Sequence, residues 1–309
     1  MSFDVVFMGT PEFSREFLEH LYLKKNFNIK AIYTQPPKKS NRGQKVNLSS
    51  VHKFAKEKKL NVFCPKKLSF SDVNNIKKLK PDVIIVVAYG LILPKNILAI
   101  PSCGSVNVHA SMLPKWRGAA PIHRSIMNGD STTGISIMKM VEKLDSGPIY
   151  LQSEIQIKKD DTYKDVYNNL VDVGKETLDR YFSEHAPYLP MNQDDNLATY
   201  AEKITKEDMQ INFNDTAFKA HKKVCALSPK PGAWFFIDTH KYKIFDTEVI
   251  TEDKIENIKK SKNLILPFKK DYLLIKKIQK EGRNIITIEE FERGYSKELN
   301  IIRKKLLSK

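Results

Sequence analysis

Apolar and polar positions along the first part of the chain follow the order of a strand, a turn and a helix. Residues 3–8 are β-branched and aromatic, and Gly9, Thr10 and Pro11 separate them from an amphipathic helical pattern at 13–23. This order is typical of the first unit of a doubly wound parallel sheet. The same patterns predict strands at 29–34, 61–63, 82–88, 106–109 and 134–139, and helices at 51–58 and 166–182.

Two further patterns predict the domain organisation. Residues 82–88, DVIIVVA, are apolar on both faces, which is typical of a central parallel strand covered by helices. We therefore expect an α/β catalytic domain at 1–188, built on a doubly wound, mostly parallel sheet. Pro, Asn, Asp and Gln then accumulate and predict a linker at 189–204. Short alternating segments at 233–237, 241–247, 263–267, 272–278 and 285–288 predict a small β-barrel domain at 205–309.

The charge of the chain narrows the class of partner. The formal net charge is +16, and residues 205–309 contribute half of it, with 23 Lys or Arg against 15 Asp or Glu. Such a charge favours an anionic partner, either nucleic acid, an acidic membrane surface or a phosphorylated substrate. A Lys-rich genome would produce the same composition. A basic β-domain attached to an α/β domain makes nucleic acid the favoured partner.

Other features of the sequence argue against several classes of protein. Cys64, Cys103 and Cys225 are odd in number and have no CxxC spacing, which argues against a disulfide framework and a structural zinc site. The first ten residues do not have the pattern of a signal peptide. The longest apolar run, at 83–93, is too short to span a bilayer. We expect a cytoplasmic protein without a bound metal.

The strongest chemical signal lies between residues 105 and 145. Asn107 and His109 alternate on a predicted strand, so their side chains project from the same face. Buried polar groups need partners, and here an amide donor lies beside an imidazole that can move a proton near neutral pH. Asp145, in a loop expected to return to the carboxyl ends of the strands, would fix the imidazole and balance its charge. This set predicts acyl or formyl transfer, in which the developing oxyanion accepts hydrogen bonds.

Other kinds of active site fit the sequence less well. A metal site would need His123 to join His109, but His123 lies in a helical pattern and no HxxxH spacing occurs. Ser111 lacks the GxSxG elbow of a serine nucleophile. The turn at Gly9 lacks the other two glycines of the dinucleotide-binding GxGxxG motif, which argues against a nicotinamide cofactor.

Two loops are candidate ligand contacts. Residues 35–47 follow the second predicted strand, and their lysines suit a solvated loop. Arg42 differs from those lysines because a guanidinium can clamp a phosphate or stack on a base, so we expect it to contact nucleic acid. The segment YGLILP at 89–94 follows the most apolar strand. A glycine bend beside apolar side chains suits a flat heteroaromatic ligand, and it equally suits the end of a core strand.

Several motifs carry a resemblance to a known family. They are FMGTPEFS, TQP, VVAYGLILP, NVHASMLPKWRGAAPIHRSI, LDSGPIY, TYAEKITKED and SPKPGAWF, and they extend along nearly the whole chain. With these motifs the sequence resembles the methionyl-tRNA formyltransferases. The NVHxSxLPxxRGAAPI core with LDxG resembles enzymes that use 10-formyltetrahydrofolate as the formyl donor. Three features narrow the resemblance to the tRNA enzymes. They are the loop that runs from TQP to the RG at 42–43, the AYGLILP segment and the C-terminal segment.

The resemblance implies roles for individual residues. Asn107, His109 and Asp145 would be catalytic. The 10-formyltetrahydrofolate co-substrate would contact Ser111, Met112, Leu113 and Pro114, and the apolar wall of its pterin pocket would include Tyr89, Leu91, Ile92, Leu93, Met138 and Val141. The loop with Lys38, Lys39, Arg42 and Lys45 would approach the acceptor end of initiator methionyl-tRNA. The second domain would be a barrel of the oligonucleotide/oligosaccharide-binding type that holds the tRNA, and the enzyme would act as a monomer.

The sequence departs from the family pattern in places. Met112 replaces a usual leucine, a volume-conserving change that should leave the pocket intact. Pro37 replaces a common acidic residue in the basic loop. The second domain matches the family less well than the first, so the resemblance assigns no individual tRNA contacts in it. Two other functions remain open from the residues alone. One is formylation of a small amine, and the other is RNA binding without catalysis.

Overall fold

The computed structural model of the chain describes residues 2–40, 45–183, 189–256 and 263–307, without the side chains of 39, 40, 45, 46, 306 and 307. The backbone divides into two compact units. The first comprises residues 1–121, 133–155 and 168–202. The second comprises residues 122–132, 156–167 and 203–309.

The elements up to residue 183 are strands interspersed with helices. In chain order they are β1 (Phe3–Gly9), α1 (Glu12–Leu23), β2 (Phe27–Tyr33), β3 (Lys38–Ser40), β4 (Lys45–Asn47), α2 (Ser50–Glu57), β5 (Val62–Phe63), α3 (Phe70–Leu79), β6 (Val83–Val87), α4 (Lys95–Leu98), β7 (Ser105–His109), β8 (Arg117–Gly118), α5 (Pro121–Asn128), β9 (Thr132–Lys139), β10 (Ile149–Gln156) and α6 (Tyr163–Ser183). The sequence patterns did not predict α3 or β10.

A seven-stranded sheet with the order β10-β9-β7-β6-β1-β2-β5 forms the first unit. β1 is parallel to both β2 and β6, and β6 is parallel to β7, whereas β9 is antiparallel to β7. The chain builds one side of β1 first and then the other, so the strand order reverses between β1 and β6. The expected doubly wound, mostly parallel sheet is confirmed, and ligands bind such sheets at this reversal.

The turn after β1 depends on a glycine. A Cβ added at Gly9 would lie 2.6 Å from Ser14 Cβ and 2.9 Å from the Val87 carbonyl oxygen. Any other residue would therefore push β1 away from the first turn of α1 or from the end of β6. The Ser14 hydroxyl donates a hydrogen bond to that same Val87 carbonyl, which joins α1 to β6.

The remaining elements lie mostly in the second unit. They are β11 (Tyr200–Ala201), α7 (Lys206–Met209), α8 (Ala217–Leu227), β12 (Ala233–Ile237), β13 (His240–Ile250), β14 (Leu264–Pro267), β15 (Tyr272–Lys280), β16 (Ile286–Thr287) and α9 (Ile288–Leu307). The sequence patterns predicted the strands of this unit within a few residues, but neither α8 nor α9.

A five-stranded antiparallel sheet forms the second unit, with the order β12-β13-β15-β14 and with β16 against β15. The pairing of β13 with β15 shifts register around Asp246, and such bulges bend a strand and increase its twist. Val224 of α8 and Phe291 of α9 share one core with Phe235 and Ile244 of the sheet. The expected small antiparallel β-domain is thus confirmed, with two helices added to its core.

Candidate active site

Strand β7 positions Asn107 and His109. It lies between β6 and β9, where Asn107 is opposite Val86 on one side and Met138 on the other. Both side chains are buried, each with 6% of its surface exposed. Because they alternate on one strand, they project from the same face, as the sequence predicted.

Asp145 joins these two residues from the loop between β9 and β10. Its Oδ1 accepts a hydrogen bond from Asn107 Nδ2 at 3.4 Å, and its Oδ2 lies 3.6 Å from His109 Nδ1. The structure therefore brings together the three residues that the sequence selected. The loop leaves β9 beside the first residue of β7, where Met140 N–H donates to the Ser105 carbonyl. It then brings Asp145 to His109, at the carboxyl end of that strand.

Backbone groups fix the orientation of the imidazole and the carboxylate. His109 Nε2 lies 2.9 Å from the Trp116 carbonyl oxygen, which can only accept, so Nε2 carries a proton. Nδ1 then faces the carboxylate, and a second proton there would form an ion pair with Asp145. The carboxylate Oδ2 also accepts a hydrogen bond from Gly118 N–H at 2.9 Å. The sequence did not predict a role for the Trp116 carbonyl or the Gly118 amide, because backbone groups leave no residue-type signal.

A backbone conformation that suits only glycine brings Gly118 to the carboxylate. Gly118 has a φ of +123°, and an added Cβ would lie 2.8 Å from the Ala201 carbonyl oxygen. β8 pairs in parallel with β11 at this point. Only glycine fits both the dihedral angle and the space, which explains the glycine of the WRGAAP motif.

The loop after β7 contains the predicted folate contacts at 111–114. Ser111 is buried, and its hydroxyl donates to the Lys115 carbonyl at 2.6 Å. Leu113 packs against Met138 and Ile149, while Met112 and Pro114 are only partly buried. The side chains of Ser111, Leu113 and Met138 thus support the loop from beneath, and those of Met112 and Pro114 are accessible. Val141 is also partly buried.

The turn after β6 contains the other predicted apolar contacts. Tyr89 and Leu93 are buried in the core between the sheet and its helices, and Leu91 packs against the same cluster. Ile92 is exposed. The Tyr89 carbonyl accepts hydrogen bonds from Thr10 Oγ1 at 2.9 Å and Gln35 Nε2 at 3.2 Å. The turns after β1, β2 and β6 are therefore tied together where the strand order reverses.

The predicted basic loop is described only in part. Lys38 Nζ donates to Gln35 Oε1 at 2.9 Å. Arg42 and the side chains of Lys39 and Lys45 lie outside the described residues. Within the described ranges, no group of three His, Cys, Asp or Glu side chains is arranged to hold a metal. The helices described in the structure include none that is long and apolar enough to cross a membrane.

Comparisons with known families agree with this fold. The formyl transferase family matches residues 3–181, and the C-terminal domain of formyl transferases matches residues 203–296. The matched regions include the whole of the Asn107, His109 and Asp145 site. The class of protein is therefore formyl transferase.

Individual relatives define the family more narrowly. A methionyl-tRNA formyltransferase from Wolbachia sp. subsp. Drosophila simulans is 42% identical over 295 residues, which cover 94% of this chain and 96% of that protein. A methionyl-tRNA formyltransferase from Dictyoglomus thermophilum is 41% identical over 304 residues, covering 94% and 96%. The chain belongs to the methionyl-tRNA formyltransferase family.

Solved structures share the fold at low sequence identity. One is an N-formyltransferase from Helicobacter canadensis in complex with folinic acid and dTDP-3-aminofucose, with a TM-score of 0.64 and 18% identity. The match covers 91% of this chain and 100% of that one. Another is HypX from Aquifex aeolicus in complex with tetrahydrofolic acid, with a TM-score of 0.58 and 12% identity, covering 94% of this chain and 47% of that one.

Proposed function

We propose that this protein transfers the formyl group of 10-formyltetrahydrofolate to the α-amino group of initiator methionyl-tRNA, giving the formylated tRNA for translation initiation. The observation that carries the proposal is the convergence of Asn107, His109 and Asp145 within hydrogen-bond or ion-pair distance in a chain of this family. We place the reaction in the cytoplasm. We expect a monomer, because binding one acceptor stem needs no partner subunit.

The three side chains match the charges that formyl transfer develops. The neutral α-amine attacks the formyl carbon, a C–N bond forms, and the formyl oxygen becomes an oxyanion. Asn107 Nδ2 donates a hydrogen bond to that oxygen, and a protonated His109 donates a second through Nε2, which exchanges its bond to the Trp116 carbonyl for one to the substrate. Asp145, at Nδ1, balances the charge of the imidazolium. The bond between the formyl carbon and the folate N10 then breaks, and the proton lost by the amine ends on N10. Removing one oxyanion donor in such sites costs on the order of 10²–10³ in rate.

The donor site is proposed at the loops after β6, β7 and β9. Accessible apolar groups are offered by Leu91, Ile92, Met112, Pro114 and Val141. Buried residues form the layer beneath them, which holds the loops in place, and these are Tyr89, Leu93, Ser111, Leu113 and Met138. An apolar wall with a few fixed polar groups suits a pterin ring.

One face of the second unit supports a nucleic-acid partner. On the β12–β13 hairpin the rings of Trp234 and Phe236 meet at 5.2 Å and 74°, and Lys241 Nζ lies 4.1 Å from the Trp234 ring. Phe236 is 48% exposed. Aromatic rings that bases can stack on, beside cations that neutralise phosphates, are typical of RNA-binding surfaces. We propose that this face contacts the tRNA, and that Arg42, Lys38, Lys39 and Lys45 contact its acceptor end.

Transfer of labelled formyl from 10-formyltetrahydrofolate tests the proposal. Charged initiator methionyl-tRNA, charged elongator methionyl-tRNA and a small amine ribonucleotide are compared as acceptors under identical conditions. Formylation confined to the initiator tRNA is the expected result. Formylation of the small amine alone would retain the chemistry and reject the acceptor, and no transfer to any acceptor would favour RNA binding without catalysis.

A further inference from the structure

The segment before β11 contacts the loop that contains Asp145. Gln193 Nε2 donates hydrogen bonds to the Asp145 carbonyl at 2.9 Å and to the Gly147 carbonyl at 2.7 Å. Both carbonyls belong to the loop between β9 and β10, and all of these residues lie in the first unit. One side chain, about 50 positions further along the chain, therefore holds the backbone on both sides of Ser146.

Arg117 determines which way the Gln193 amide points. Its Nε and Nη2 donate to Gln193 Oε1 at 3.0 Å and 2.8 Å. A guanidinium has donors only, so the amide oxygen must face Arg117 and the amide nitrogen must face the two carbonyls. A rotation of the amide by 180° would place donors against donors and acceptors against acceptors. The orientation is fixed by chemistry rather than by packing.

The cation itself is buried and depends on its partners. Arg117 is 1% exposed, and its Nη1 lies 2.8 Å from Asp195 Oδ1. Hydrogen bonds from Lys143 and Arg117 lower the pKa of Asp195, so it remains ionised beside the guanidinium. A buried cation without such partners would be strongly destabilising. Gln193 and Asp195 therefore complete a network that begins at Arg117.

The network acts on a backbone that requires support. Asp145 has a φ of +45°, a conformation that costs free energy for a residue other than glycine and persists where the surroundings enforce it. Gly118 N–H holds its carboxylate, and Gln193 holds its main chain. Adjacent residues, Arg117 and Gly118, thus reach Asp145 by two routes, one through the side chain of Gln193 and one directly.

We propose that Gln193 is a positioning residue for formyl transfer. It holds the backbone of 145–147 so that the Asp145 carboxylate stays against His109 and Asn107. The proposal rests on the proposed function for its kinetic consequence, but the hold on the loop is measurable without it. Gln193 touches neither reacting group, and its effect passes through Asp145.

Gln193→Glu is the main test. It retains oxygen acceptors for Arg117 and replaces the donor to the two carbonyls by an acceptor. We expect kcat to fall about 10- to 100-fold, because displacements of about 1 Å have effects of this size, with KM for both substrates unchanged within about twofold. Asn192→Asp, which adds the same charge at the exposed neighbouring position, should behave as the wild type. Gln193→Asn, which keeps an amide but is one methylene shorter and so cannot reach Arg117 and both carbonyls at once, should reproduce the loss and replaces the glutamate variant if that one does not fold.

Amide hydrogen exchange of peptides spanning 140–149 provides a measurement without substrate. We expect faster exchange in Gln193→Glu and Gln193→Asn than in the wild type or Asn192→Asp. If the wild type does not formylate initiator tRNA, the proposed function is rejected. The exchange rates alone then decide whether Gln193 holds the loop. Unchanged exchange, or kcat within threefold of an active wild type in both Gln193 variants, would overturn the proposal. A rise in KM with unchanged kcat would overturn it as well.

Discussion

Replacing Asp145 with asparagine removes the charge opposite His109 and retains most of the shape. The Gly118 N–H keeps an acceptor if the new amide oxygen occupies the Oδ2 position. The new NH₂ group then faces Asn107 Nδ2, so only the weaker bond of 3.4 Å is lost. We therefore expect Asp145→Asn to fold, with a free energy of unfolding within about 1 kcal/mol of the wild type.

The catalytic loss follows from the distance between the charges. At an effective dielectric constant of about 20, opposite unit charges separated by the 3.6 Å between His109 Nδ1 and Asp145 Oδ2 attract by about 5 kcal/mol. This attraction is present only when the imidazole is protonated, which is the state that the proposed mechanism requires while the oxyanion forms. Since about 1.4 kcal/mol corresponds to tenfold in rate, losing it lowers kcat by about 10³.

Single-turnover transfer of labelled formyl to charged initiator tRNA measures this loss. Asp172→Asn, at an exposed position on α6, removes the same charge and should retain wild-type kcat. Affinity for the tRNA, measured by filter binding, should not change in either variant. Asp145→Asn with kcat within tenfold of the wild type would refute the ion-pair role, as would a loss expressed only in KM.

Three further predictions concern other parts of the chain. Gly9→Ala should lower the free energy of unfolding of the first unit by about 1–3 kcal/mol in urea titrations, because its Cβ would lie 2.9 Å from the Val87 carbonyl oxygen; an unchanged midpoint would contradict the close approach. Trp234→Ala should raise KM for tRNA about tenfold and leave KM for the formyl donor unchanged, as expected for the loss of one stacked base; equal KM values for tRNA would reject the proposed face. Burial, with nearby Arg124, lowers the pKa of His123 to about 4. In the unfolded state the His123 imidazole binds a proton below about pH 6.5, whereas in the folded state it binds one only near pH 4. The wild type should therefore lose up to about 3 kcal/mol of stability as the pH falls from 6.5 to 4. His123→Phe, which keeps a ring against Tyr163, should lose less over that range, and parallel stability–pH curves would contradict the assignment.

The sequence alone predicted most of the sheet and the central pair of the site. Strands buried on both faces have runs of apolar residues that stand out, and two polar residues alternating in such a strand have few structural explanations. β10 was missed because it lies at the sheet edge and is only partly buried along most of its length. α8 was missed because its buried face includes Ala217 and Ala220, whose small side chains add little to a hydrophobic pattern.

The polar segment at 189–204 shows a different limit of sequence patterns. Its composition predicted a linker, yet residues 189–202 belong to the first unit, and polar groups among them bond to other parts of that unit. Gln193 bonds to Arg117 and to two backbone carbonyls, and Thr199 Oγ1 accepts a hydrogen bond from Trp116 N–H at 2.9 Å. Composition cannot distinguish a polar side chain that bonds water from one that bonds a buried backbone group. The partners of such a segment depend on tertiary structure.

The three side chains proposed to be catalytic differ in how firmly the fold holds them. Asn107 and His109 belong to a strand with neighbours on both sides, so a local change elsewhere cannot easily move one relative to the other. Asp145 belongs to a loop with a left-handed backbone, and bonds from residues distant in sequence maintain its position. Substitutions that reduce kcat without touching substrate should therefore cluster around Asp145. The polar segment at 189–204 is the place to look for them, because its side chains make those bonds.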